Sequence, residues 1–187
     1  MYIASAKRKE NIAEYLLYMW QIEDIVRAYG LDIEKIRKSI IDTQSQLDDN
    51  QKKQLTEWYE SLIDMMRRED MVKSGHLQLN KNVLTQLVEL HSALLKDPRF
   101  PEYTKKFYEA LPYIVELRSK SGDDRKDEIE TCFNALYGML MLRLQKREVS
   151  AETMDAINKI SSFIALLSRY FHLDEAEQLF KDDDNRD

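Results

Sequence analysis

Apolar residues recur at three- and four-residue spacing along most of the chain, the pattern of amphipathic helices. The first clear stripe is Ile12, Tyr15, Leu16, Met19, Ile22, Val26 and Tyr29, which predicts a helix over about Asn11 to Tyr29. Asn11 suits its N-cap with Glu14 as capping partner, and Gly30 suits a left-handed stop. Within it YLLYMW is apolar nearly all round, so this helix is expected at the centre. Ile33, Ile36, Ile40 and Ile41 mark a shorter helix from Asp32, broken by QSQLDDN. A third helix, about Asn50 to Lys73, carries Leu55, Trp58, Tyr59, Leu62, Met65, Met66 and Val72 and is expected to end at Gly75. A fourth, about Lys81 to Lys96, shows Leu84, Leu87, Val88, Leu94 and Leu95.

Pro101 fits the first turn of a fifth helix. It holds Tyr103, Phe107, Tyr108 and Leu111, and Pro112 is expected to kink it before Ile114, Val115 and Leu117. SKSGDD reads as a loop. The sixth helix, about Asp124 to Arg147, has Ile129, Cys132, Phe133, Leu136, Leu140 and Leu144; its ALYGMLMLRL segment is again apolar all round and expected to be central. Ser150 caps a seventh, with Met154, Ile157, Ile160, Ile164, Leu167 and Phe171, and a short turn over Leu173 to Phe180 follows. The pattern predicts an all-α fold: a single antiparallel bundle of about seven helices, one kinked at Pro112. It spans residues 1–180 as one domain, and 181–187 read as an acidic, disordered tail.

Composition narrows this further. Only 4 Gly and 3 Pro occur in 187 residues, too few for the turns of sheet-rich or dinucleotide-binding folds. With 43% hydrophobic and 33% charged residues the chain is too apolar for disorder, and no run of about 18 apolar residues suggests a membrane span. The net charge is −6, and nine acidic against four basic residues lie beyond Glu148. A near-neutral body works against a nucleic-acid binder; the densest basic run is Lys7, Arg8 and Lys9, and Arg67 and Arg68 form a second pair. Cys132 is the single cysteine, which excludes an internal disulfide and suits a reducing compartment. The start of the sequence lacks a signal-peptide pattern. A cytoplasmic location is expected.

Familiar catalytic patterns are missing. No Glu-x-x-His pair, HEXXH, GxxxxGK, GxGxxG or GxSxG occurs, so no catalytic residue, metal or cofactor is assigned. Cys132 lies on an apolar stripe and reads as a small buried hydrophobe.

Three features stand out as candidates for binding. In SGHLQLNKN, His76, Gln78, Asn80 and Asn82 alternate with Leu77 and Leu79. A short extended stretch would align the four polar side chains for recognition. Equally, the leucines anchor a plain connector whose Asn80 caps the next helix. Polar residues also fall on apolar stripes: Glu69 after Leu62 and Met66, His91 among Leu87, Leu94 and Leu95, and Arg143 after Leu136 and Leu140. These three would form an internal network or pocket, or else Arg143 reaches past the stripe's edge and His91 is a satisfied core histidine. Finally, ten Tyr, two Trp and eight Met exceed what a surface needs; a large core accounts for most, and a partner groove for the rest.

The segments RKENIAEYLLYMWQIED, WYESLIDMMRRE, GHLQLNKN and LPYIVELRSKS together resemble an uncharacterised all-helical family of bacterial cytoplasmic proteins, of the kind catalogued as a domain of unknown function. The resemblance implies an all-α fold and brings no activity or ligand. The function expected is therefore a non-enzymatic interaction protein, an adaptor or regulator. It would bind a protein partner or a second copy of itself, with no nucleic acid and no membrane. The alternative is a small-molecule-binding or catalytic bundle with a pocket near Glu69, His91 and Arg143.

Overall fold

The computed structural model describes residues 2–121 and 127–180. Eight α-helices occur among them: α1 (Tyr2–Glu10), α2 (Ile12–Ala28), α3 (Ile33–Ile36), α4 (Asp49–Arg68), α5 (Gln78–Lys96), α6 (Pro101–Ser121), α7 (Glu128–Leu144) and α8 (Ala151–Glu175). The all-α reading holds. The acidic tail lies outside the described residues, as does the second half of the expected SKSGDD loop; its first half, Ser119 to Ser121, is the last turn of α6 instead.

Short polar side chains start the helices by satisfying free backbone N–H groups. Asn11 accepts from Ala13 and Glu14, Asp32 from Glu34 and Lys35, Asp127 from Glu130, and Ser150 from Thr153. Asp48 and Gln51 form a reciprocal capping box on α4. The Asn11 cap has a distant contributor: Ser168 on α8 donates its hydroxyl to Asn11 Oδ1 at 2.8 Å.

Helix ends explain how so few glycines suffice. Gly30 closes α2 at φ +67°, and Asp70, Lys146 and Glu177 take the same left-handed role after α4, α7 and α8 at φ +54° to +55°. Each is followed by a backbone bond back across the last turn, such as Met71 N–H to the Met66 carbonyl at 2.8 Å.

α2 occupies the middle, packing on α1, α4, α5, α7 and α8, as its apolar girth requires. Ile12, Leu16, Met66, Leu87, Tyr103, Phe133 and Phe163 are among the fully buried side chains of the shared core. α6 and α8 pack most extensively. α6 passes through Pro112 as one helical element. No helix among the described residues is long and apolar enough to cross a membrane.

Four expectations need correction. α1 is an additional helix: its stretch YIASAKRKE offers too narrow a stripe, essentially Ala4, to stand out as a pattern. α4 stops at Arg68, earlier than Lys73, because Asp70 already takes a left-handed turn five residues ahead of Gly75, whose φ of +88° falls within the connector. α3 runs into a π turn at Arg37–Ile41, which brings Ile36 and Ile41 inward together. ALYGMLMLRL is not central throughout. Ile129, Cys132 and Phe133 near the start of α7 are buried, but Leu136, Leu140, Met141 and Leu142 are half-exposed and Leu144 is 58% exposed.

Candidate functional site

The most concentrated polar arrangement in the interior lies where the connector between α4 and α5 crosses α2. α2 presents Trp20, Glu23, Asp24 and Arg27 along one face, at helical spacing of three and four residues. Glu23 is the buried carboxylate, 1% exposed. Its Oε1 accepts from Leu77 N–H at 2.9 Å and from Asn80 Nδ2 at 2.7 Å. Its Oε2 accepts from His76 Nδ1 at 2.6 Å. Three donors converge on one carboxylate, as a buried carboxylate requires.

The same face holds the connector at other points. The His76 ring stacks on Trp20, with centroids 4.0 Å apart and planes 13° from parallel. Arg27 donates to the carbonyls of Met71 and Gly75 and pairs with Asp24 at 2.7 Å. Tyr137 of α7 donates to Asp24 Oδ2 at 2.6 Å and meets Trp20 edge-on. At the end of α4, Glu69 accepts from Gln78 N–H at 2.6 Å, so two carboxylates serve the free N–H groups at the start of α5. The indole N–H of Trp20 and the side-chain carbonyl oxygen of Asn80 are buried without a hydrogen-bond partner among the described residues.

Five of the predicted positions thus belong to one structure, though not in the form expected. His76, Gln78, Asn80, Asn82 and Glu69 all lie on the connector or the helix ends beside it. α5 begins at Gln78, so the period-two alternation is not an extended strand. Its meaning is helical: Leu77 and Asn80 are buried, whereas Gln78 and Asn82 face outward and bond each other at 2.8 Å. Asn80 does not cap α5; it turns inward to Glu23.

The other two positions lie apart. His91 is enclosed by Tyr103, Phe107 and Phe163, with ring centroids 4.9 to 5.8 Å away, and shares a 2.6 Å hydrogen bond with the Tyr103 hydroxyl. Burial lowers its pKa, so it is a neutral core histidine. Arg143 is exposed near the end of α7, its guanidinium 3.8 Å from Met154 sulfur. It lines an open groove between α2, α7 and α8 to which neither Glu69 nor His91 contributes. The network or pocket of Glu69, His91 and Arg143 therefore does not form. Sequence reasoning missed Glu23, although it lies four residues after Met19 and three before Val26, squarely on the buried stripe.

Chemically, the Glu23–His76 pair orients an imidazole and leaves Nε2 at its partly exposed edge. No nucleophile or acid hydrogen-bonds that nitrogen among the described residues. The Cys132 thiol is buried, and burial pushes its pKa far up, so it does not ionise as a nucleophile must. No group of three or more His, Cys, Asp or Glu among the described residues is placed to hold a metal ion.

Fold and site together define an all-helical bundle organised around a buried carboxylate that fastens a connector. The chain belongs to the family described as "Domain of unknown function (DUF4924)", whose model matches residues 1–178. Comparison with the curated proteins gives no match, and comparison with the solved structures gives none either.

Proposed function

We propose that this is a non-enzymatic cytoplasmic interaction protein that works as a self-associating helical bundle. The observation that carries the reading is the uncovered second half of α7. A helix apolar on all sides normally lies in a core. Here Met139 alone of the apolar side chains from Leu136 to Leu144, Tyr137 aside, is buried; Leu136, Leu140, Met141 and Leu142 stay half-exposed and Leu144 is 58% exposed. Gly138 sits exposed in the same stretch, and a Cβ placed there would meet nothing within 4 Å. Glycine inside a helix costs about 1 kcal/mol relative to alanine. Nothing among the described residues repays that cost, whereas close approach of a second helix does.

Charge favours a second copy as the partner. Asp127 caps α7 and Glu128 and Glu130 fall in its first turn, while Arg143 lies in its last turn and Lys146 and Arg147 just beyond it. Two such helices crossing antiparallel about Gly138 set the basic end of each beside the acidic end of the other, an isologous arrangement. Sedimentation equilibrium of the wild type and of Leu142→Lys tests this. A wild-type dimer that becomes a folded monomer in the variant supports the reading. A wild type that stays monomeric at tens of micromolar overturns it.

A further inference from the structure

We propose that a second, separate part of the molecule is a binding site for an uncharged, single-ring small molecule carrying a hydrogen-bond acceptor. The site is a pocket of about 210 Å³ between α1, α2, the π turn and the first half of α4. Tyr18, Ile40, Leu55 and Tyr59 line it, and Ile3 contributes while remaining 58% exposed. Four glutamines, Gln44, Gln46, Gln51 and Gln54, complete most of the wall. In a chain that is 33% charged, no charged side chain among the described residues lines this pocket.

The two tyrosines point to a ligand. Tyr59 is 4% exposed and Tyr18 half-buried, and neither hydroxyl makes a hydrogen bond within the protein among the described residues. Neither hydroxyl is sealed from solvent, so each is free to donate to a ligand that displaces water from the pocket. Buried Tyr103, by contrast, has His91. Burial and then the nearby Tyr18 raise the pKa of Tyr59, and burial raises that of Tyr18, so both remain neutral donors. Gln51 and Gln44 have already committed their oxygens, to Asp48 N–H and to Gln46 Nε2, which leaves the Gln44 amide N–H₂ as a further donor. The site therefore offers donors over an apolar floor and calls for an acceptor on an apolar body.

Size and shape set the class. An apolar cavity of about 150 Å³ holds benzene, so this volume suits one substituted ring. Charge is disfavoured, because no counter-charge among the described residues lining the pocket offsets the desolvation of an ion. The π turn supplies Ile40 to the wall, and such turns frequently accompany functional sites.

The test uses benzamide as the neutral probe, benzoate as its charged counterpart and toluene as the ring without an acceptor. Binding to the full chain is followed by backbone amide NMR shifts. Benzamide is expected to shift residues around Tyr18, Ile40 and Tyr59, and benzoate to bind at least about tenfold more weakly. Tyr59→Phe is expected to weaken benzamide by about threefold to tenfold and to leave toluene unaffected. Tyr18→Phe serves as the second variant should Tyr59→Phe disturb the amide spectrum elsewhere. Absence of shifts at saturating benzamide, shifts confined to another surface, or equal binding of benzoate overturns the proposal.

Discussion

Glu23 and His76 lie 53 residues apart in sequence and 2.6 Å apart in space, and their contact pins the connector to the central helix. Hydrogen bonds to Leu77 and Asn80 make the carboxylate a three-way anchor. Replacing Glu23 by alanine leaves the Leu77 N–H and the Asn80 amide without their buried acceptor. Urea unfolding is expected to show a loss of about 3–5 kcal/mol. A loss below about 1 kcal/mol would mean that the anchor is dispensable.

His91 gives the fold an acid sensitivity with a defined sign. Burial holds its folded pKa below the unfolded value of 6.5, so the unfolded chain takes up the proton first. Its neutral form is fully compatible with the fold above pH 6.5, and stability falls as pH drops from there toward the folded pKa. The slope approaches about 1.4 kcal/mol per pH unit at most. His91→Gln removes this term, so stability measured between pH 7.5 and pH 5.5 should fall less steeply than in the wild type. Parallel slopes would refute it.

The left-handed helix ends make a paired prediction. Lys146 occupies that conformation at φ +54° and is exposed, so Lys146→Gly should raise stability by about 0.5–1 kcal/mol. Gly30→Ala should lower it by about 1 kcal/mol through backbone strain alone, since the added Cβ meets nothing within 4 Å. Thermal melts of both variants check the signs, and a shift of both in one direction contradicts the backbone argument.

Cys132 should resist thiol reagents in the folded protein. It is fully buried, and burial raises its pKa. Labelling by iodoacetamide at pH 8 is expected only as fast as the chain opens, and to become rapid in denaturant. Rapid labelling under native conditions would place the thiol in a looser environment than the bundle core.

Much of the fold was readable because the large stripes on α2, α4 and α8 face one shared core. α1 was hidden because a helix with chiefly Ala4 buried leaves almost no periodic trace. The candidate site was legible in part. Polar residues in SGHLQLNKN marked the connector, but their true organiser, Glu23, is contributed by a helix 53 residues earlier. Applying to Glu23 the same register test that selected Glu69, His91 and Arg143 would have found it. The test also overreached with Arg143. The apolar stripe of α7 continues past the point where the core covers it, so register there no longer reports burial.

The cap on α2 carries a consequence for the order of events during synthesis. Asn11 holds the start of the central helix, and Ser168 supplies one of its hydrogen bonds from α8. While a ribosome is still making α7, that bond has no donor, and the faces of α2 and α6 that receive α8 are bare. The nascent chain thus leaves that face of the central helix uncovered until Ser168 has emerged, 157 residues after Asn11, an interval in which a chaperone that grips hydrophobic segments has its natural substrate.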